Sequence, residues 1–159
     1  MSAALIHLDG REVRRSLALA CDVAVIGSGP AGATVARHLA AHGVRVLVLE
    51  EGLQVTPAEF GASGIRAMAS MYREMGTSVA LGPSPIPYLQ GVAVGGTSVV
   101  NGAISWRFSN ETLDGWIASD AGLRGTLDPD RIRSHEDALW ERLGITPTDD
   151  AIALSLIHI

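Results

Sequence analysis

Three glycines at one spacing carry the first chemistry in this chain. Gly27-Ser28-Gly29-Pro30-Ala31-Gly32 reads G-x-G-x-x-G, the spacing that cradles the pyrophosphate of a dinucleotide. Each glycine has its own duty. Gly27 permits a tight turn, Gly29 lets a phosphate approach the backbone, and Gly32 lets the next helix sit close to the preceding strand. Unpaired N–H groups and the positive dipole end of that helix then face the phosphates. About 20 residues further on, Glu50 stands where an acid takes a ribose hydroxyl.

These residues act together only if a βαβ unit positions them. The apolar run from Cys21 leads into the glycines as a short strand. Ala33–His42 reads as a helix with Ala33, Ala36, Leu39 and Ala40 as its buried stripe and Arg37 and His38 facing outward. Gly43 is placed to stop that helix. Val44–Leu49 is almost continuously apolar, as expected of a parallel strand covered on both faces. The fold class is therefore α/β, with a Rossmann-like nucleotide-binding domain that is expected to be incomplete. Neighbouring strand side chains point to opposite faces, which gives the ribose contact to Glu50 and not to Glu51.

A second stretch, Gln90–Arg107, contains Gly95-Gly96-Thr97-Ser98. Paired glycines followed by hydroxyl residues form a backbone nest suited to anionic oxygens. Asn101 and Gly102 add a polar turn before the apolar stretch that opens at Ala103. Taken alone, this could be any glycine-rich loop.

The remaining segments read as framework. Thr56-Pro57-Ala58-Glu59 is a capping box with proline at the first helical position. It predicts a helix to about Met75, ended by Gly76, with Ile65, Met68, Ala69, Met71, Tyr72 and Met75 packed in the core. Alternate prolines in Gly82–Pro87 exclude helix and central strand, leaving an extended surface segment over 76–90. Asp128, Pro129 and Gly144 bracket a helix whose apolar face is Ile132, Leu139, Trp140 and Leu143. Arg131, Arg133, Glu136 and Arg142 read as mostly solvated there, and His135 as a surface histidine. Asn110-Glu111-Thr112 matches a glycosylation sequon, which means little without a secretion signal.

Composition limits the function classes. The chain has 159 residues, 47% hydrophobic and 18% charged, with net charge -5, a core-forming composition of about one domain's length. It carries no basic stripe, which argues against nucleic acid as a partner. No apolar run approaches the roughly 18 residues of a membrane helix. The single cysteine, Cys21, excludes an intrachain disulfide and argues against a cysteine metal cluster. The run Arg14–Cys21 is too short in apolar residues for an export signal and reads as an arm entering the first strand, which favours the cytoplasm.

The two glycine-rich stretches together resemble the N-terminal part of the glucose–methanol–choline (GMC) oxidoreductases. Val48-Leu49-Glu50-Glu51-Gly52 is similar to the family's V-L-E-x-G, and Gly95–Gly102 fits its G-G-[ST]-S-x-x-N-G. The resemblance covers about residues 20–146 and implies FAD. By this likeness the cofactor-binding set is Gly27, Ser28, Gly29, Pro30, Ala31, Gly32, Glu50, Glu51, Gly95, Gly96, Thr97, Ser98, Asn101, Gly102 and Ala103. Some members tether FAD through a histidine just before the loop asparagine. That position is Val100 here, which implies non-covalent FAD.

The likeness also implies an FAD-dependent oxidoreductase acting on CH–OH groups of a small-molecule alcohol. The family's catalytic histidine lies near the far C-terminus of much longer chains. His7, His38, His42, His135 and His158 do not match its motif, so no catalytic residue is expected within this chain and its substrate is not legible. The expected organisation is an N-terminal arm (1–19), a partial FAD-binding domain (20–148) and a terminal segment (149–159). Leu154–Ile159 within that segment is similar to translated adapter sequence and is set aside. Two other enzyme classes use related loops. Disulfide reductases need a cysteine pair where Ser98 and Ala103 stand. An NAD-dependent dehydrogenase could use Glu50 but would leave the second loop without a task. A catalytically inactive nucleotide-binding fragment is the non-enzyme alternative.

Overall fold

The computed structural model describes residues 6–60 and 63–148; the expected terminal segment 149–159 and His158 lie outside them. The chain divides into two compact units, Met1–Gly102 and Ala103–Ile159.

In the first unit, strand β1 (Val23–Ile26), helix α1 (Pro30–Ala41) and strand β2 (Val46–Leu49) form the βαβ unit. β1 and β2 pair in parallel, with Val23 opposite Val46 and Ile26 opposite Leu49. A strand followed by an apolar-faced helix and a second apolar strand returns parallel because the helix carries the chain back across the sheet. At the start of the ladder, Asp22 holds Arg45 through its backbone N–H at 2.9 Å and its guanidinium at 2.6 Å.

Two expectations about this unit are corrected. α1 begins three residues earlier than expected, at Pro30, and its packed stripe is narrower. Gly32, Ala36 and Leu39 are half-buried, whereas Ala33 and Ala40 are exposed. The apolar run of β2 suits a strand covered on both faces, but a partial FAD-binding domain is expected to leave such a sheet with an uncovered apolar face or edge, and among the described residues Val48 and Leu49 are exposed, as is Ile26 of β1. The cause is the sheet itself, which has two strands. A two-stranded ribbon gives a helix only a narrow strip to cover, and both of its strands are edges.

The helix expected from 57 to 75 is broken. The capping box does form, with Glu59 Oε2 accepting from the Thr56 N–H and hydroxyl, each at 2.7 Å. It closes only a 3-10 turn, Pro57–Glu59. Helix α2 spans Gly64–Met71, and a second 3-10 turn follows at Arg73–Gly76. The break at Tyr72 has a tertiary cause. The Val92 N–H donates to Met71 O at 2.7 Å, and the Arg73 N–H donates to Gln90 O at 2.9 Å. Bonds to the second glycine stretch thus replace the next helical turn. Of the expected core face, Met71 is buried and Tyr72 half-buried, but Ile65, Met68, Ala69 and Met75 are exposed, because eight helical residues do not sustain one continuous face.

The proline segment matches its reading. β3 (Val79–Ala80) and β4 (Ile86–Pro87) form a two-residue antiparallel ladder, the edge position that proline tolerates.

The second unit is helical. α3 (Asn110–Ser119) is capped by Ser109, whose side chain accepts from the Thr112 N–H at 3.1 Å. α4 (Pro129–Leu143) has the expected bracket. Asp128 accepts from the Asp130 N–H at 2.9 Å, and Gly144 ends it with φ 64. Its apolar face is Ile132 and Trp140, while Leu139 and Leu143 are exposed. Arg133 and Glu136 are half-buried rather than solvated. Glu136 accepts from the Phe108 N–H at 2.5 Å and from Arg133 at 2.8 Å, and Arg133 donates onward to Phe108 O at 3.3 Å. The pair thereby satisfies the backbone that leads into α3. Leu113 is buried, and Phe108 meets Trp116 edge to face at 5.0 Å.

Candidate functional site

Gly27 extends the β1–β2 ladder by one bond, its N–H donating to Leu49 O at 2.7 Å, and then turns the chain with φ 89. A residue with a Cβ resists that left-handed conformation. Gly29 is the N-cap of α1, with extended backbone and no side chain capping the helix. Pro30 fills the first helical position, where its missing N–H costs nothing, and Ala31 and Gly32 complete the turn. A Cβ on Gly29 would meet nothing within 4 Å, but one on Gly32 would lie 2.2 Å from Gly27 O and 3.2 Å from Val25 Cγ1. Gly32 is thus demanded by the packing of α1 on β1, whereas Gly29 leaves an open approach to the first N–H groups of the helix.

Glu50, at the end of β2, turns back onto this loop. Its Oε2 accepts from the Ser28 N–H at 2.8 Å and the Ser28 hydroxyl at 2.7 Å, and its Oε1 accepts from the Gly52 N–H at 2.8 Å. Burial pushes the carboxyl up, but the hydrogen bonds from Gly52 and Ser28 outweigh it, and the pKa lies below the ordinary 4.5. Glu50 is therefore an anion, the charge state a ribose acceptor requires. Glu51 has a different partner. It is exposed and paired with Arg73, which also donates to Gln90 Oε1 at 2.9 Å.

The second glycine stretch is brought to the first. Gly52 lies against Ala93, where an added Cβ would come within 2.2 Å of the Ala93 nitrogen. Leu53 and Ala93 form a parallel bridge, and the Val94 N–H donates to Leu53 O at 3.0 Å. The Gly95 N–H then reaches Ser28 Oγ at 2.8 Å across 67 residues of sequence. Gly96 passes so close to Gly29 that a Cβ on it would lie 3.0 Å from Gly29 Cα. Gly95 and Gly96 take φ 103 and 59, and Gly96–Val99 forms a 3-10 turn. Thr97 Oγ1 accepts from the Gly91 N–H at 3.1 Å, Ser98 Oγ donates to Gly95 O at 2.6 Å, and Asn101 Nδ2 donates to Ser98 O at 2.9 Å. Gly102 closes the first unit in open surroundings, and Ala103 opens the second with φ 56.

A cleft of about 920 Å3 holds Ser28, Ala33, Val46, Val48, Glu50 and Glu51 on one side. Residues 6–11 of the arm line it too, as do Leu53, Gln54 and Val94. Sequence reasoning missed these. The arm has neither periodicity nor a motif, and forms only a turn in which Asp9 and Arg11 pair at 2.6 Å. Leu53 and Val94 could have been suspected, because each adjoins a motif residue. Among the described residues, no group of three or more His, Cys, Asp or Glu is placed to hold a metal ion. No described helix is long and apolar enough to cross a membrane.

An uncapped helix N-terminus behind a turn of glycines, with a carboxylate at the end of the neighbouring parallel strand, is the donor and acceptor set of a dinucleotide-binding α/β protein. The sequence profile of the FAD dependent oxidoreductases matches residues 22–131, and the chain belongs to that family. The GMC likeness holds as well. The chain is 40% identical over 127 residues to an uncharacterized GMC-type oxidoreductase of Mycobacterium tuberculosis, covering 79% of this chain and 20% of the relative. An uncharacterized GMC-type oxidoreductase of Sinorhizobium fredii is 38% identical over 107 residues, 67% of this chain and 21% of the relative. A long-chain-alcohol oxidase of Arabidopsis thaliana is 32% identical over 138 residues, 87% of this chain and 18% of the relative. The chain thus spans about a fifth of the length of these relatives. FAD is the cofactor of the family, and the open backbone at Gly29 with the ionised Glu50 fits its ADP half.

Proposed function

We propose that this chain binds the ADP half of non-covalent FAD for an oxidoreductase that acts on the CH–OH groups of alcohols. The meeting of Gly95 with Ser28 carries the reading, because it sets the second glycine stretch against the loop that would cradle the pyrophosphate. In this reading the N–H groups at the start of α1 bind the phosphates, the gap over Gly29 admits them, and Glu50 accepts the ribose hydroxyls. Gly95, Gly96, Thr97, Ser98, Asn101 and Gly102 follow the pyrophosphate toward the flavin. When bound, the flavin supplies hydride acceptance; the residues of this chain bind and orient it. Val100 offers no nucleophile for a covalent tether. The chain spans about a fifth of its relatives' length; in this reading substrate choice lies with the remainder of such a longer protein, and long-chain alcohols are the first substrates to test in it, given the Arabidopsis relatives.

Titrating the 159-residue chain with FAD and with NAD tests the reading. Flavin fluorescence should be quenched on addition of the chain, and acid precipitation should leave a colourless pellet. Binding of NAD with no effect on FAD would sink it, and a yellow pellet would overturn the non-covalent mode.

A further inference from the structure

Ser28 was grouped above with the cofactor ligands, but its one donor proton and one of its two acceptor lone pairs are already committed. The O–H donates to Glu50 Oε2 at 2.7 Å, and the oxygen accepts the Gly95 N–H at 2.8 Å. Its own backbone N–H goes to the same carboxylate oxygen at 2.8 Å. One small side chain, half-buried at the turn between β1 and α1, therefore joins the first glycine loop, the acid at the end of β2 and the second glycine loop. We propose that Ser28 is a positioning residue whose hydroxyl fixes Glu50 and the Gly95 loop in one arrangement, and that it makes no side-chain contact with the cofactor.

The chemistry of the hydroxyl favours this role. A carboxylate accepts only and a backbone N–H donates only; the Ala side chain offers no donor to the one and no acceptor to the other. A hydroxyl accepts from one and donates to the other. The bond to the carboxylate is charge-assisted, which strengthens the acceptor character of the same oxygen toward Gly95. Without the link, the Gly95 N–H would lose its partner, and the carboxylate would keep only backbone donors, from Ser28, Gly52 and Glu51. The part of this proposal that concerns cofactor geometry rests on the FAD reading above; the link itself does not.

The test uses the isotope-labelled 159-residue chain. In the wild type, the amide signal of Gly95 should shift with pH at the same midpoint as the Glu50 carboxyl, since protonating Oε2 redirects the hydroxyl. The Gly96 amide, bonded to Ala93 O at 2.7 Å, is the control and should not follow. Ser28→Ala should raise the Glu50 midpoint and speed exchange of the Gly95 amide about tenfold, the loss expected of one hydrogen bond in a charged network. Ser28→Thr, which keeps the hydroxyl, should restore both. A Gly95 amide in the wild type that ignores the Glu50 titration overturns the link, even if Ser28→Ala fails to fold. FAD affinity is read separately. It should fall about tenfold in Ser28→Ala and recover in Ser28→Thr, again by one charged-network bond. Unchanged affinity in a folded Ser28→Ala overturns the positioning role. A wild type that takes no FAD refutes the functional reading instead, and the link is then decided by the amide and carboxyl signals alone.

Discussion

Gly29 and Gly32 sit three residues apart in one motif, yet an added methyl group should do opposite things at the two positions. At Gly32 the new Cβ would stand 2.2 Å from the Gly27 carbonyl oxygen. That atom is backbone and cannot rotate away, so α1 must move off β1. Overpacking of this kind costs about 1–3 kcal/mol. The gain in helix propensity from Gly to Ala is about 1 kcal/mol, too small to offset a backbone clash of this depth. A net loss of up to about 2 kcal/mol follows, or up to about 8 °C in Tm for a chain of this size. At Gly29 the backbone is extended, with φ -60 and ψ 178, and a Cβ meets nothing within 4 Å. Gly29→Ala should therefore leave Tm within about 2 °C, because changes that meet no contact fall within about 0.5 kcal/mol. The same methyl group would occupy the phosphate approach, so FAD affinity should fall at least tenfold there. Thermal unfolding by circular dichroism and FAD titration give the two readings. A Gly32→Ala chain as stable as wild type, or a Gly29→Ala chain that unfolds early, would refute the division of labour between the two glycines.

Other perturbations separate neighbouring residues in the same way. Glu50→Ala should weaken FAD binding by about 1.5–3 kcal/mol, as for a hydrogen bond to a charged group. Glu51→Ala, which breaks an exposed pair with Arg73, should weaken FAD binding by less than about 1 kcal/mol, and isothermal titration ranks the two. The folded pKa of Glu50 lies below the 4.5 of the free group. Between the two values the unfolded chain binds more protons, so this stabilisation is complete above about pH 4.5 and is lost as pH falls through the folded value. Glu50→Gln should flatten that part of a stability-against-pH curve. In the second unit, Asp128→Ala removes the cap of α4 and should cost about 1 kcal/mol in urea unfolding. Leu113→Ala at a buried position should cost about 2–5 kcal/mol in the same assay.

The parts of the fold legible in the sequence are those set by local chemistry. The βαβ unit, the αL turn at Gly27 and the cap and stop of α4 each depend on a few adjacent residues, and all are present. The capping box at Thr56 also formed, but a local signal says where a helix begins, not how far it runs. α2 ends at Met71 because residues 90–92 take over its hydrogen bonds, a partner some twenty residues away that no periodicity announces. Arg133 and Glu136 were read as solvated from their charge; their burial follows from backbone groups at Phe108 that need them. In the candidate site, the glycine motifs stand out because their spacing is unusual. The arm at 6–11 leaves no such mark, because it enters the cleft by position and not by composition.

The bond between Ser28 and Gly95 also sets an order of events in time. Glu50 lies 22 residues from Ser28, and Gly95 lies 67 residues away. Closing the longer loop costs about 1 kcal/mol more in chain entropy than closing the shorter, and longer-range contacts form more slowly. The βαβ unit with Glu50 should therefore assemble first as a half-built cradle, and the second glycine stretch should dock onto it afterwards. Under mild denaturant the sequence runs in reverse: the Gly95 stretch peels away while β1, α1 and β2 persist. Partial opening of this kind occurs in contiguous cooperative units, and here it would unmake the cradle for the cofactor before the fold itself was lost.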